Sequence, residues 1–117
     1  MLINTFSKKI IIKKHKVAKT PFSQVIGLMF KRKSKFNYAL VFPRPSESIT
    51  GSALHMFFVF FTINVIFLNE KKNVVDIKRH FKPFCFYAPK KKAKYIIELP
   101  LFVDISKVKI GNKLTWK

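Results

Sequence analysis

The chain has 117 residues, 49% of them hydrophobic, and a net charge of +19 from 24 lysines and arginines against 5 acids. That length and apolar content are enough to bury a core in one compact domain over residues 1–117, and they exclude an intrinsically disordered chain. One cysteine and three histidines exclude an internal disulfide, and the histidine spacing offers no metal-ligand pattern.

From Met1 to Lys19 the apolar trio Ile10–Ile12, bounded by lysines, predicts an edge strand or the start of a hairpin, with residues 1–7 frayed. The same trio is too short for the apolar region of a signal peptide, and a cytoplasmic location is the expectation. Thr20 is placed to cap a short helix, Pro21 suits its first turn, and Val25, Leu28 and Met29 fall on one face at helical spacing. Lys31-Arg32-Lys33 closes it, where positive charge suits the dipole. Phe36–Phe42 reads as a buried strand stopped by Pro43 and Pro45, and 43–52 as a loop rich in turn formers.

The apolar run Ala53–Leu68, holding five phenylalanines and interrupted by His55, Thr62 and Asn64, predicts two strands with a bend near Phe61-Thr62. It is shorter than the about 18–20 residues a spanning helix needs, so no membrane span is expected. Asn69–Asn73 is a polar turn, and Val74–Phe81 returns antiparallel. A short break at Lys82-Pro83 leads to an extended piece at Phe84–Tyr87, in which Cys85, between two aromatics, is expected to be a buried and inert thiol. Pro89–Lys92 is an exposed basic loop, Ala93–Leu99 a strand ended by Pro100, and Val108–Ile110 with Leu114–Trp116 a closing hairpin about Gly111-Asn112. The sum is a mainly β domain (β-rich α+β) of about six to eight short strands with one short N-terminal helix, arranged as a small barrel or sandwich.

Several of these stretches, taken in order, resemble the family called domain of unknown function 192. They are Gly27-Leu28-Met29-Phe30-Lys31-Arg32, His55-Met56-Phe57-Phe58, Ile63–Leu68 with Val74-Val75, Lys82-Pro83, Ala93-Lys94-Tyr95, Glu98-Leu99-Pro100 and Gly111-Asn112. The resemblance covers about residues 22–114. It implies a small, mainly β domain with an N-terminal helix and no established activity. Departures are Asn64 and Asn112 where the family usually has Asp, Tyr38-Ala39 for Gly-Met, and Leu101-Phe102 for Ala-Gly. Were the usual Asp a catalytic base, Asn64 would leave this chain without it, because an amide takes up no proton at neutral pH.

Candidate chemistry divides in two. His55, Thr62 and Asn64 are polar groups lodged among aromatics, and on one face of a pocket they would orient an unknown small ligand or a protein segment; alternatively they satisfy buried backbone groups. Lys31, Arg32 and Lys33, with Lys90, Lys91 and Lys92, are candidate anion contacts, and Tyr38, Phe86, Tyr87 and Tyr95 lie near such clusters as stacking aromatics would. No acid precedes Glu47, so the charge points to nucleic acid, the ribosome or a membrane surface; a lysine-biased composition competes but leaves the scarcity of acids unexplained. Glu98 sits in an apolar strand end, where a lysine or arginine partner is expected. No catalytic triad, phosphate-cradling glycine loop, metal cluster or cofactor motif is visible. The expectation is a binding or interaction module with a groove near His55–Asn64, not an enzyme, with a basic nucleic-acid- or ribosome-associated protein as the alternative.

Overall fold

The structure, a computed structural model, describes residues 1–20, 23, 27–56 and 58–117. They form ten strands: β1 (Leu2–Asn4), β2 (Lys9–Ile12), β3 (His15–Val17), β4 (Ala39–Ser48), β5 (Leu54–His55), β6 (Ile63–Leu68), β7 (Val74–Phe81), β8 (Phe86–Tyr87), β9 (Ala93–Pro100) and β10 (Leu114–Trp116). Five of these make the main sheet in the order β3-β4-β9-β6-β7; β10-β1-β2 and β5-β8 make two smaller ones. The fold is mainly β. Among the described residues the main ladder does not close on itself, since β3 and β7 are its two edges. No described helix is long and apolar enough to cross a membrane.

The main sheet carries a core on each face, because side chains alternate along its strands. Leu40 and Phe42 of β4, Val65 and Phe67 of β6 and Ile96 of β9 pack on one side with Leu28, Phe36, Met56 and Phe61. Val41, Ile66, Leu68, Ile97 and Leu99 pack on the other, with Leu2, Val103, Val108 and Leu114. Every residue of β6 is buried, and apart from Asn64 all are apolar, as suits a strand covered on both faces. The predicted β6–β7 hairpin forms in antiparallel register, with Ile66 opposite Ile77 and Leu68 opposite Val74. Asn69 shapes its turn by accepting the N–H groups of Lys71 and Asn73 at 3.0 Å each.

Four expectations are corrected. Residues 1–7 do not fray from the start: β1 is the middle strand between β10 and β2, and Leu2 is fully buried. β4 runs through Pro43 and Pro45 to Ser48, instead of stopping before them. Its partner β3 reaches only Val41, and the pairing with β9 is irregular between Pro43 and Ser48, so neither ladder runs regularly past the prolines, which lack an N–H. The tail makes no hairpin of its own: β10 pairs with β1, Leu2 opposite Trp116, and Val108 and Ile110 lie outside any strand. Cys85 is exposed, in a surface turn whose flanking Phe84 and Phe86 are exposed as well.

The helix expected from Thr20 to Lys31-Arg32-Lys33 falls in part on residues 21, 22 and 24–26, which lie outside the described residues. From Gly27 on it too is corrected, since 27–30 form a turn with Phe30 at φ 60° and Arg32 is extended. At its start, the Ser23 N–H donates to Thr20 Oγ1 and the Thr20 N–H to Ser23 Oγ, both at 3.1 Å, the reciprocal pattern of a capping box. The Gly27 N–H then donates to the Ser23 carbonyl at 2.9 Å.

Candidate functional site

The central strand of the main sheet holds a carboxylic acid. Glu98 lies on β9 directly opposite Leu40 of β4 and Val65 of β6, so apolar residues flank it on both sides of the ladder. It is 5% exposed, and its Oε1 is buried with no hydrogen-bond partner among the described residues. Burial raises its pKa from 4.5 to about 8, so the group is a neutral acid at pH 7. The lysine or arginine partner expected from sequence does not neutralise it; removal from water does.

Glu98 lines a cavity of about 690 Å³. Leu28 and Met29 form part of its wall from the segment after the capping box, Phe42 to Pro45 from β4, Leu54 and His55 from β5, Val59 from the following loop and Ile96 from β9. Its other ionisable lining residues are Lys19, Arg44 and His55. The volume is that of a small-molecule site, and the composition is mostly apolar walls with a few polar groups. A neutral carboxyl there both donates and accepts a hydrogen bond; a cationic group brought against it would draw off its proton.

The residues named from sequence separate. His55 lines the cavity; Thr62 and Asn64 are not among its lining residues. Asn64 is buried and its Oδ1 accepts the His80 N–H at 3.0 Å. That bond spans a register shift where two residues of β7 oppose the single Asn64, with His80 at φ 53°. Lys33 lies in a 3-10 turn after the exposed Arg32, while Lys90 to Lys92 are exposed before β9. A basic cleft of about 500 Å³ instead gathers Lys13, Lys14, Lys16 and Lys35 with His15, Asn37 and Tyr38. Lys13, Lys14 and Lys16 are neighbours in sequence; what sequence reasoning missed is that the parallel pairing of β3 with β4 brings Lys35, Asn37 and Tyr38 beside them. The pKa of His15 is lowered there, first by burial and then by the nearby amino terminus.

The aromatics near the lysine clusters are largely engaged. Tyr38 is buried beneath the Lys16 ammonium, 4.4 Å from its ring centre, and Tyr95 packs edge-on against Trp116. Tyr87 packs on Phe67 and donates its hydroxyl to Asp76 Oδ2 at 2.6 Å. Asp76 also accepts the N–H groups of Lys90 and Ile77, so this buried carboxylate ties the basic loop to the hairpin. Burial and the Asp76 contact raise the Tyr87 phenol to about 12. Among the described residues no group of three or more His, Cys, Asp or Glu could hold a metal ion.

The family model for DUF192, described as "Uncharacterized ACR", matches residues 3–116. The chain belongs to this family. It is 43% identical over 118 residues to a UPF0127 protein of Thermococcus sibiricus, covering 100% of this chain and 75% of that one. A solved structure of a protein of unknown function from Novosphingobium aromaticivorans has the same fold, with a TM-score of 0.78 at 19% identity over 98% of this chain and 81% of the other. So does a Sinorhizobium meliloti protein whose name proposes it as a transcription regulator, with a TM-score of 0.78 at 18% identity over 97% of this chain and 88% of that one. Three blocks through which the chain resembles DUF192 meet at the cavity: Gly27–Arg32 supplies Gly27, Leu28 and Met29, His55–Phe58 supplies His55, and Glu98–Pro100 supplies Glu98.

Proposed function

We propose that this DUF192 protein is a small binding module whose cavity takes a compact, mainly apolar ligand carrying one polar group, with Glu98 as the residue that recognises it. The observation that carries the reading is Glu98 Oε1, buried without a hydrogen-bond partner among the described residues beside a space of about 690 Å³. A bare polar atom inside a protein is costly, and a ligand donor set against it recovers that cost. Hydroxyl, amide and amine ligands all suit it, the amine by taking the Glu98 proton and leaving an ion pair. Binding rather than turnover is proposed because, among the described residues, neither a second carboxylate nor a thiol lines the cavity beside Glu98. Calorimetric titration with matched apolar amines, alcohols and hydrocarbons tests it. The polar members should bind the native protein, and Glu98→Leu should weaken them by at least about tenfold, or ~1.4 kcal/mol. Equal affinity for polar and hydrocarbon members, or no loss in the variant, would refute it.

The second reading, association with nucleic acid or the ribosome, is favoured by the lysine-lined cleft beside β3. It lacks open stacking faces at Tyr38, which is buried, and rests on charge. It requires binding to RNA or DNA that survives about 150 mM salt, where charges are screened beyond about 8 Å.

A further inference from the structure

Four phenylalanines stand at the surface in mutual contact. Phe30, Phe58, Phe60 and Phe84 are 68, 47, 61 and 50% exposed. Phe30 stacks on Phe58 at 5.1 Å between ring centres, and Phe84 meets Phe58 edge-on at 6.3 Å and Phe60 at 5.6 Å. They come from three separate turns, knitted by backbone bonds: the Phe30 N–H donates to the Phe58 carbonyl at 2.8 Å, and the Phe84 N–H to the Met56 carbonyl at 2.7 Å.

Three of the four are also strained. Phe30, Phe58 and Phe84 have φ of 60°, 58° and 62°, the left-handed region that a bulky side chain adopts only at a cost. Burial offsets that cost only in part, because about half or more of each residue's surface stays exposed. The chain therefore holds apolar rings outward against both solvation and backbone preference, and such strain marks sites whose conformation serves something other than folding.

We propose that this phenylalanine cluster, with the cations around it, docks the protein on the surface of an anionic phospholipid bilayer. Charge complementarity selects that partner. Lys31, Arg32, Lys33 and Lys35 follow Phe30, Arg79 and Lys82 precede Phe84, and no acid occurs anywhere in 18–46, 48–69 or 77–97. Of the five acids, Asp76 and Glu98 are buried, and Glu47 holds the Glu70 N–H at 2.8 Å. Aromatic rings entering the headgroup boundary, with lysine and arginine flanking them along the chain, are the chemistry of interfacial anchoring. A second copy of the chain is a poor occupant, since it would set +19 against +19. Rings packed on one another also offer an apolar cap instead of the separate faces on which bases stack. This surface is independent of the Glu98 cavity reading.

Co-sedimentation with phosphatidylglycerol vesicles, and with phosphatidylcholine vesicles for comparison, tests the proposal at about 150 mM salt. The native chain should bind the anionic vesicles and bind the neutral ones weakly. Phe30→Asn with Phe84→Asn should lower vesicle affinity at least about tenfold. Its melting temperature should hold or rise, because asparagine tolerates a left-handed backbone. Phe30→Leu with Phe84→Leu, which keeps apolar bulk, should retain most of the binding. The proposal is overturned if the native chain ignores the anionic vesicles, or if the Asn variant binds as the native chain does, leaving the lysines as the whole attraction. It is equally overturned if the Leu variant loses as much as the Asn variant, or if sedimentation equilibrium shows a dimer that the Asn substitutions dissolve.

Discussion

Replacing Glu98 by glutamine should change how stability depends on pH. In the folded chain the carboxyl ionises near 8; in the unfolded chain it ionises near 4.5. Below the lower value both states are protonated and pH has no effect through this group. Between the two, the unfolded state has lost the proton and the folded state keeps it, so rising pH favours unfolding by about 1.4 kcal/mol per unit. Above the upper value both are ionised and the dependence is flat again. Across that window the native chain should lose about 5 kcal/mol relative to Glu98→Gln, which does not titrate. Urea unfolding of both proteins at a series of pH values measures this difference, and the other carboxylates cancel from it. A pH-independent difference would refute the reasoning. A native chain that gained on the variant as pH rose would show an ionised, paired Glu98, the arrangement the sequence suggests.

Asn64→Leu should cost about 0.5–1.5 kcal/mol, the net worth of an ordinary hydrogen bond, because the His80 N–H loses its acceptor in this part-buried contact; Asn64→Asp, which keeps the acceptor, should lose less, and equal losses would contradict the assignment. Leu28 is 2% exposed, so Leu28→Ala should cost about 2–5 kcal/mol in chemical denaturation; a loss under about 0.5 kcal/mol would mean that its segment is not packed on the core. Tyr87 should ionise near pH 12 in an ultraviolet difference titration, a step that Tyr87→Phe removes. A Tyr87 step at the ordinary phenol value would contradict the contact with Asp76.

The parts of the fold set by local pattern are legible in the sequence. β6, the Asn69–Asn73 turn and β7 follow from an apolar run, a polar knot and a second apolar run, and β9 from its apolar stretch. Features that depend on distant partners are not legible. Nothing near Trp116 says that it lies opposite Leu2, and nothing near Pro43 says that β3 stops at Val41. The site shows the same division. Glu98 stands out in sequence as an acid among apolar residues, but its lack of a partner depends on Leu40 and Val65, brought beside it by β4 and β6. Phe58 and Phe60 fall in the apolar run Ala53–Leu68 read as two strands; only the turns that hold them, with those of Phe30 and Phe84, show that all four face outward. Asn64, read from sequence as a ligand contact or a backbone partner, holds the His80 N–H and stands outside the cavity lining.

Native mass spectrometry of the gently purified chain, beside Glu98→Leu prepared in the same way, tests the central claim that the Glu98 cavity is a ligand site. The native chain should carry a non-covalent small molecule that fits about 690 Å³, and the variant should lack it. A native chain that travels bare, or a variant that retains the same passenger, would contradict the claim.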